Sequence, residues 1–333
     1  MKKWLKASAL LMITVFIVVA TAACSTNGGT TKVKVAEVTR SIFYAPQYVA
    51  IEKGFFKDEG LDVELTTTWG GDKTMTALLS DGADIALVGS ETSIYVYAQG
   101  AADKVINFAQ LTQTDGTFLV ARENIESFSW DQLKDSTFLG QRKGGMPQMV
   151  GEFVLKKNGI DPHSDLNLIQ NIDFANIPNA FASGTGDFVQ LFEPTASIFE
   201  KEGVGHIVAS FGEESGEVPY TTFMAKESYM QKNEQTVEKF VRALYKAQNW
   251  VDENSPEDVA KLVQPYFEDT DADTLATVVE RYKNQGSFAK GMKLTEAGWD
   301  QLQAIMDEAG ELPEKVDYQT LVNTEIVDKV LNE

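Results

Sequence analysis

Aromatic and acidic side chains follow several strand-like segments of this chain, at points where glycine also occurs. Trp69 precedes two glycines after one such segment, and Glu91 lies between a serine and a threonine after the next. An aromatic ring can stack on a flat ligand, and a carboxylate can accept hydrogen bonds from ring nitrogens or amino groups. Core packing and helix-start charges are the structural alternatives for these positions. The residue types indicate a binding site for a small polar molecule as the functional hypothesis.

Further candidates occupy equivalent positions along the chain. Phe43 and Tyr44 follow the first strand-like segment, and Glu193 follows a later one. Aromatics, carboxylates and amides together favour a heteroaromatic ligand with hydrogen-bond donors, such as an aminopyrimidine thiamine precursor, over a bare oxyanion. The expected ligand-binding residues are Phe43, Tyr44, Trp69, Gly70, Ser90, Glu91, Thr92, Gln113, Gly144, Gly145, Met146, Glu193 and Tyr220.

Glycine and basic residues carry the alternative of an anionic ligand, such as an alkanesulfonate, taurine or nitrate. Gly144 and Gly145 begin a helix-like segment, and the free N–H groups of a helix start can bind an oxyanion. Arg142 and Lys143 precede them, and Arg40 lies near the first candidate segment. Adjacent side chains of an extended chain point in opposite directions. We therefore expect only one of Arg142 and Lys143 to face a cleft.

Alternating strand and helix patterns would position these residues. The segments 32–38, 61–68, 83–90 and 105–113 have strand patterns, with helix-like segments between them. The alternation repeats between 117 and 210, and long amphipathic helices follow from Lys226 onward. This order predicts an α/β protein with parallel sheets and helical crossovers. Ligands of such sheets bind outside the carboxyl ends of the strands, where the candidate residues lie. Passages between the two α/β blocks are expected near 108–112 and 218–223.

The N-terminus has the features of an export signal. MKKWLK is basic, an apolar run follows, and TAAC resembles a bacterial lipobox. We expect a signal peptide over 1–23, a lipid anchor on Cys24 and a flexible tether over 24–31. Thr21 departs from the leucine usual at its position, and the apolar run is almost long enough for a retained membrane anchor. Cleavage would remove three lysines and change the net charge from −20 to about −23.

Composition excludes several classes of function. A net charge of −20 makes the phosphate backbone of a nucleic acid an unfavourable partner. Cys24 is the only cysteine, so neither an internal disulfide nor a cysteine-based metal site is possible. The chain has no GxSxG, HExxH, Walker or GxGxxG motif. We expect neither a cofactor nor a metal.

Three longer segments resemble a known family. They are YAPQYVAIEKGFFKDEGLDVEL, ALLSDGADIALVGSE and RKGGMPQMVGEFVLKKNGID. They are similar to solute-binding proteins of bacterial ABC importers in the nitrate, sulfonate, taurine and thiamine-precursor group. The resemblance implies an α/β, two-lobed periplasmic-binding-protein-like fold (type II), with crossing strands and a C-terminal helical segment packed on the first lobe. Lobe I would comprise 32–113 and 219–333, and lobe II would comprise 114–218.

The resemblance also implies a biological setting. The protein would be a lipid-anchored monomer at the extracytoplasmic face of the cell membrane. It would capture a solute between its lobes and deliver it to the membrane subunits of an ABC permease.

Two other classes of function remain as alternatives. Relatives of this fold include pyrimidine synthases that use a cysteine-rich motif and their own histidine. Here no cysteine follows Cys24, and neither His163 nor His206 lies at a candidate site position, so we expect no enzyme activity. A cell-surface adhesin is the third hypothesis, but it would not explain the glycine-rich segments that follow the strands.

Overall fold

The computed structural model describes residues 29–333. The expected signal peptide over 1–23 and Cys24 lie outside the described residues, as does most of the expected tether over 24–31. Thr31, the last residue of that tether, already belongs to the first strand. Within the described part of the chain, no helix combines the length and the apolar character needed to cross a bilayer.

The first sheet contains five strands in the order β2-β1-β3-β10-β4. All residues of β4 are buried, and β3 is buried up to its last residue, as is typical of strands covered by helices on both faces. The strands and helices of this part are β1 (Thr31–Glu37), α1 (Ala45–Glu52), α2 (Phe55–Asp58), β2 (Leu61–Thr67), α3 (Gly71–Leu79), β3 (Ile85–Gly89), α4 (Thr92–Ala98), β4 (Val105–Thr112) and β10 (Thr221–Lys226).

The second sheet also has five strands, in the order β7-β6-β8-β5-β9. Its elements are β5 (Thr117–Ala121), β6 (Thr137–Leu139), α5 (Met146–Lys157), β7 (Asn167–Ile169), α6 (Ile177–Ala182), β8 (Phe188–Phe192), α7 (Thr195–Glu202), β9 (His206–Ser210) and α8 (Phe211–Ser215). Short 3-10 helices cover Ile42–Tyr44, Trp130–Leu133, Phe174–Asn176 and Gln264–Tyr266. We call the second sheet with α5–α8 the second lobe, and the first sheet with the remaining helices the first lobe.

Both sheets are mixed, which corrects the expectation of parallel sheets. β10 runs antiparallel to β3 and β4, and β5 runs antiparallel to β8 and β9. The reversed strands, β10 in the first sheet and β5 in the second, each follow a segment that passes from one lobe to the other. The chain then enters the sheet from the end opposite to the one used by the βαβ units. A strand pattern has the same period in either direction, so the sequence carries no sign of this reversal.

Two neighbouring segments connect the lobes. The backbone N–H of Val218 donates to the carbonyl of Gln113 at 2.9 Å, and that of Tyr220 donates to the carbonyl of Thr112 at 3.2 Å. These paired segments continue β4 and β10 out of the first sheet. The passage expected near 108–112 lies within β4, and the one expected near 218–223 overlaps β10, so the segments that connect the lobes begin at the ends of these strands.

The C-terminal helices pack mainly on the first lobe. The 20-residue helix α10 packs its apolar face on α1 and α2, and the rings of Phe56 and Phe240 stack at 4.8 Å. Burying one such phenylalanine contributes roughly 2 kcal/mol. These helices are α9 (Glu227–Lys232), α10 (Glu234–Glu253), α11 (Pro256–Val263), α12 (Ala272–Asn284), α13 (Glu296–Glu308), α14 (Tyr318–Leu321) and α15 (Glu325–Leu331).

Two of these helices also contact the second lobe. The hydroxyl of Tyr282 in α12 donates to the carbonyl of Gly116 at 2.8 Å. Lys156 in α5 donates to the carbonyl of Glu308 in α13 at 2.7 Å. The C-terminal part therefore does more than cover the first lobe, because it also contacts the second lobe outside the connecting segments.

Candidate functional site

A cavity of about 360 Å³ lies between the two lobes. Its walls come from residues that follow strands in both sheets, as the general rule for such folds requires. The first lobe contributes residues including Tyr44, Trp69, Gly70, Glu91, Thr92, Tyr95 and Tyr220, and the second lobe contributes residues including Gln141, Arg142, Lys143, Gly144, Gly145, Met146, Asp173, Phe174 and Phe192. A volume of this size suits a small molecule.

Most of the expected ligand-binding residues meet at this cavity. Those that line it are Tyr44, Trp69, Gly70, Glu91, Thr92, Gly144, Gly145, Met146 and Tyr220. They come from segments that are far apart in the chain. Their convergence follows from the two sheets, because each sheet presents its strand ends to the space between the lobes.

The structure places Phe43, Ser90 and Gln113 away from the cavity lining, contrary to expectation. Phe43 is fully buried, with its ring centroid 5.2 Å from that of Tyr282, so it belongs to the core. The Ser90 hydroxyl donates to the carbonyl of Pro219. The amide of Gln113 donates to the carbonyl of Gly286 at 3.1 Å. The Ser90 and Gln113 side chains thus form hydrogen bonds at the segments that connect the lobes.

Glu193 also lies outside the cavity lining, and its side chain connects the lobes instead. One carboxylate oxygen accepts from the Ser197 hydroxyl and from Arg281 of α12, both at 2.8 Å. The other accepts from the backbone N–H of Ser197 at 2.9 Å. Burial raises the pKa of Glu193, and Ser197 and Arg281 act in the opposite direction. The position of Glu193 after β8 does not predict this partner, because Arg281 is distant in the sequence.

Glu91 is the buried carboxyl group of the cavity. One of its oxygens accepts from the backbone N–H of Met146 at 3.3 Å, which joins the first lobe to the start of α5. The other oxygen, Oε2, has no hydrogen-bond partner among residues 29–333. It lies so close to Gly89 that a Cβ at position 89 would overlap it. Glycine is therefore required at the end of β3 for Glu91 to adopt this position.

Burial is the largest influence on the pKa of Glu91. It raises the pKa of this carboxyl group to about 8, although backbone N–H groups of Glu91, Met146 and Thr92 act in the opposite direction. Near neutral pH the group is therefore largely protonated. A protonated carboxyl can donate one hydrogen bond and accept others. The site can thus offer both capacities to a solute.

Gln141 provides a second acceptor that sequence reasoning missed. Its Nε2 donates to the carbonyl of Gln190 at 2.6 Å, and its Oε1 has no partner in the described part of the chain. Gln141 follows β6, and this position after a strand is the sequence feature that could have identified it as a candidate. A buried polar atom without a partner costs about 1–3 kcal/mol. A ligand that donates hydrogen bonds to Gln141 and Glu91 would remove this penalty.

Arg142 and Lys143 both line the cavity, which corrects the expectation that only one would. The backbone turns at Gly144, whose φ is 88°, so the rule for extended chains does not apply here. Arg142 pairs with Asp72 at 2.9 Å and with Asp173 at 3.6 Å. Lys143 lies 3.4 Å from a carboxylate oxygen of Glu311. Both cations therefore already have acidic neighbours.

Arg40 does not line the cavity. Its guanidinium lies 2.9 Å from a carboxylate oxygen of buried Glu37 and donates to the Thr67 hydroxyl at 2.8 Å. It also lies 5.2 Å from the ring centroid of Tyr266. These contacts hold the Arg40 side chain against residues of the first lobe.

The start of α5 already uses two backbone donors on the protein itself. The N–H of Gly144 donates to Oε1 of Gln148 at 2.9 Å, and that of Met146 donates to Glu91 at 3.3 Å. Pro147 has no N–H to offer. An oxyanion at this helix start would have to displace or approach the carboxyl group of Glu91.

Aromatic residues provide the flat surfaces of the cavity. Trp69 is 46% exposed and adopts a left-handed backbone conformation with φ of 59°. Such a conformation costs about 1 kcal/mol or more for a bulky residue and often marks a functional position. Phe174 and Phe192 lie on the opposite lobe, with ring centroids 6.0 Å apart. The sequence places Phe192 at the end of a strand-like segment, but neither phenylalanine is among the expected ligand-binding residues.

The raised pKa of Glu91 leads to a prediction about stability. Between its ordinary value of 4.5 and about 8, the folded protein holds a proton that the unfolded chain releases. Stability therefore falls as pH rises through this window. Burial raises the pKa of Asp115 to about 6, in the same direction. We expect the free energy of unfolding to be about 5 kcal/mol lower at pH 8 than at pH 5, with the larger part from Glu91.

Urea unfolding at pH 5, 6.5 and 8 measures this effect. Glu91→Gln should show a shallower fall than the wild type, because glutamine does not titrate. Exposed Glu64, which pairs with Lys32, supplies the control variant Glu64→Gln. Equal slopes in the wild type and Glu91→Gln would contradict the prediction.

Comparisons with known proteins agree with this geometry. The model of the NMT1-like family matches residues 27–266. A Bacillus subtilis (strain 168) protein named "Putative binding protein YtlA" is 66% identical over 333 residues, which cover 100% of both chains. The aligned region therefore covers both chains in full.

Solved structures with the same fold are more distant in sequence. The nitrate-binding protein NrtA of Synechocystis PCC 6803 superposes with a TM-score of 0.72 at 17% identity, covering 91% of this chain and 89% of that one. The alkanesulfonate-binding protein SsuA of Xanthomonas axonopodis pv. citri, bound to MOPS, gives 0.69 at 18% identity, covering 88% and 98%. Together, the family match and the shared architecture establish that this chain belongs to the NMT1-like family and has the two-lobed fold of periplasmic binding proteins.

Proposed function

We propose that this protein is the extracytoplasmic solute-binding component of an ABC importer. Its solute would be a small heteroaromatic molecule with N–H donors, and an aminopyrimidine precursor of thiamine is the favoured candidate. The match to a binding protein of Bacillus subtilis supports the general role. The chemistry of the cavity supports the choice of solute.

The partnerless acceptor oxygens carry this proposal. Oε2 of Glu91 and Oε1 of Gln141 are buried, belong to residues of the cavity lining, and accept no hydrogen bond within residues 29–333. Amino and ring N–H groups of an aminopyrimidine would supply the missing donors. Tyr44, Trp69 and Phe174 line the same cavity and could stack against the ring.

Alkanesulfonate, taurine or nitrate is the second candidate class. The start of α5 and the two neighbouring cations favour it, because helix N-termini and basic side chains bind oxyanions. Two solved structures with this fold are named for such ligands. Against it, Glu91 already accepts from Met146, and Arg142 already pairs with Asp72. A bare oxyanion has no donor for the partnerless acceptor oxygen of Gln141.

Closure of the lobes would couple binding to transport. Contacts between Glu91 and Met146 and between Asp72 and Arg142 cross from one lobe to the other beside the cavity. A solute that touches both walls stabilises the closed form, and it shifts the equilibrium only by its differential affinity for the two forms. The permease would then recognise the closed protein.

The remaining expectations belong to the same proposal. Lobe I would comprise 32–113 and 219–333, and lobe II would comprise 114–218. A lipid on Cys24 would anchor the mature monomer at the extracytoplasmic face of the cell membrane. The enzyme alternative has no support from the two histidines, because His163 pairs with Glu152 and His206 begins β9 outside the cavity lining.

Thermal unfolding with candidate solutes tests the choice of ligand. We expect the aminopyrimidine thiamine precursor to raise the melting temperature by about 4 °C at a hundredfold excess over its Kd. Alkanesulfonates, taurine and nitrate should give little change. A shift with these anions alone would overturn the aminopyrimidine proposal and favour the second candidate class. Turnover of a solute by the purified protein would revive the enzyme hypothesis.

A further inference from the structure

A buried carboxylate lies behind the cavity wall of the second lobe. Glu152 is halfway along α5, is 3% exposed, and does not line the cavity. Its Oε1 accepts from Nε2 of Gln148 at 2.7 Å and from Nε2 of Gln170 at 2.8 Å. Its Oε2 lies 3.1 Å from Nε2 of His163. The hydrogen-bond partners of this carboxylate within residues 29–333 are therefore side chains from three segments of the chain.

Gln148 connects Glu152 to the first of two loops that form the cavity wall. While its amide nitrogen donates to Glu152, its amide oxygen accepts from the backbone N–H of Gly144 at 2.9 Å. Gly144 belongs to the loop 141–145, and every residue of that loop lines the cavity. The Gln148 side chain therefore bridges the Glu152 carboxylate and the loop 141–145.

Gln170 connects Glu152 to the second loop. It follows β7 and precedes Asp173 and Phe174, which line the cavity. Its side chain also packs over Gly140, where a Cβ would lie 3.5 Å from Cγ of Gln170. Gln170 thus begins the second loop, 170–174, and its side chain lies beside Gly140 at the base of the first loop.

His163 completes the set from the solvent side. Its ring is 58% exposed, and its backbone N–H donates to Asp161 at 2.9 Å. The histidine that had no evident role in the sequence is therefore a partner of the buried carboxylate. It lies at the outer end of a hydrogen-bonded series that leads through Glu152 and Gln148 to Gly144.

We infer that Glu152 is a positioning residue of the solute site, which holds the loops 141–145 and 170–174 in the geometry that binds the solute. This inference rests on the proposed function only in that the cavity binds a solute, whatever its class. A carboxylate that accepts from several donors fixes their positions, because losing it leaves each buried donor without a partner. Binding groups that are already held in the bound geometry bind a solute more tightly than mobile ones, because less ordering is needed on binding.

Three variants separate positioning from general stability. Glu152→Leu removes all acceptor capacity, whereas Glu152→Gln keeps an oxygen for Gln148 and Gln170 and an N–H₂ group that can donate to neutral His163. Arg122→Met is the matched control. Arg122 donates to the carbonyls of Phe181, Thr185 and Gly186 in the second lobe and does not line the cavity.

Hydrogen exchange provides a test that needs no solute. In Glu152→Leu, peptides covering 140–146 and 170–176 should exchange at least about tenfold faster than in the wild type. Glu152→Gln and Arg122→Met should leave both peptides near the wild-type rate. If Glu152→Leu does not fold, Gln170→Leu should accelerate the 170–176 peptide. Unchanged exchange in both peptides would overturn the inference.

Titration with the aminopyrimidine thiamine precursor provides the second test. We expect Glu152→Leu to weaken its Kd about tenfold, and Glu152→Gln and Arg122→Met to stay within about threefold of the wild type. Equal affinities of the wild type and Glu152→Leu would overturn the inference. Absence of binding to the wild type would contradict the proposed solute alone, and the exchange rates would then decide the role of Glu152.

Discussion

Glu91→Ala should bind the aminopyrimidine about ten- to a hundredfold more weakly than the wild type, because a buried donor of the ligand that loses its acceptor costs about 1–3 kcal/mol. The same variant frees the N–H of Met146 at the start of α5, which Glu91 engages at 3.3 Å. Within residues 29–333, Glu91 is the hydrogen-bond acceptor of that N–H, so its removal leaves the donor available to a ligand. We therefore expect a gain in affinity for nitrate or a short alkanesulfonate.

Isothermal titration of the wild type, Glu91→Ala and Glu91→Gln with both solute classes measures this exchange of specificity. Glu91→Gln keeps an acceptor for Met146 and should lose less aminopyrimidine affinity than Glu91→Ala. Exposed Glu64, which does not line the cavity, supplies the control variant Glu64→Ala, in which a carboxyl group is lost far from the site. An equal gain of anion affinity in that control would assign the effect to net charge. Unchanged aminopyrimidine affinity in Glu91→Ala would remove Glu91 from the site.

Arg281→Met should destabilise the protein by about 3 kcal/mol, because it leaves a buried carboxylate without its cation. The carboxylate of Glu193 is fully buried, and the Arg281 guanidinium lies 2.8 Å from it. Ser197 still supplies two hydrogen bonds in the variant, so we place the expected cost at the lower end of the range for such pairs.

Urea unfolding at pH 7 measures this cost. The double variant Glu193→Gln/Arg281→Met should recover part of the lost stability, because it removes the buried charge together with its partner. Lys32→Met provides the control, since Lys32 and Glu64 form an exposed pair and such pairs contribute about 0–1 kcal/mol. Equal costs for Arg281→Met and Lys32→Met would show that the Glu193 contact is not a stabilising bridge between the lobes.

Most segments that line the cavity could be predicted from the sequence. Trp69 and Glu91 were identified because strand and helix patterns are local, and the carboxyl ends of strands in one sheet converge. Gln141, Phe174 and Phe192 obey the same rule. Their residue types, an amide and two phenylalanines, are common enough in cores that sequence alone did not single them out.

The partner of each candidate could not be predicted. Glu91 and Glu193 both follow buried strands and precede helices, and their local sequences indicate the same role. The structure gives Glu193 the cation Arg281, from a helix nearly ninety positions further along the chain, while Glu91 retains one oxygen without a partner. A hydrogen bond between distant segments depends on how the lobes pack, and no local pattern encodes it.

The sequence by itself determined the order of strands and helices, the α/β class, the family resemblance and the segments that form the cavity. These properties follow from local periodicity and from motifs that are contiguous in the chain. Only the tertiary structure decided the antiparallel direction of β5 and β10, the placement of both Arg142 and Lys143 at the cavity, and the support of its wall by Glu152. The physical reason is that strand direction, turn geometry and buried hydrogen bonds are settled by contacts between distant residues, which form only when the two lobes are packed together.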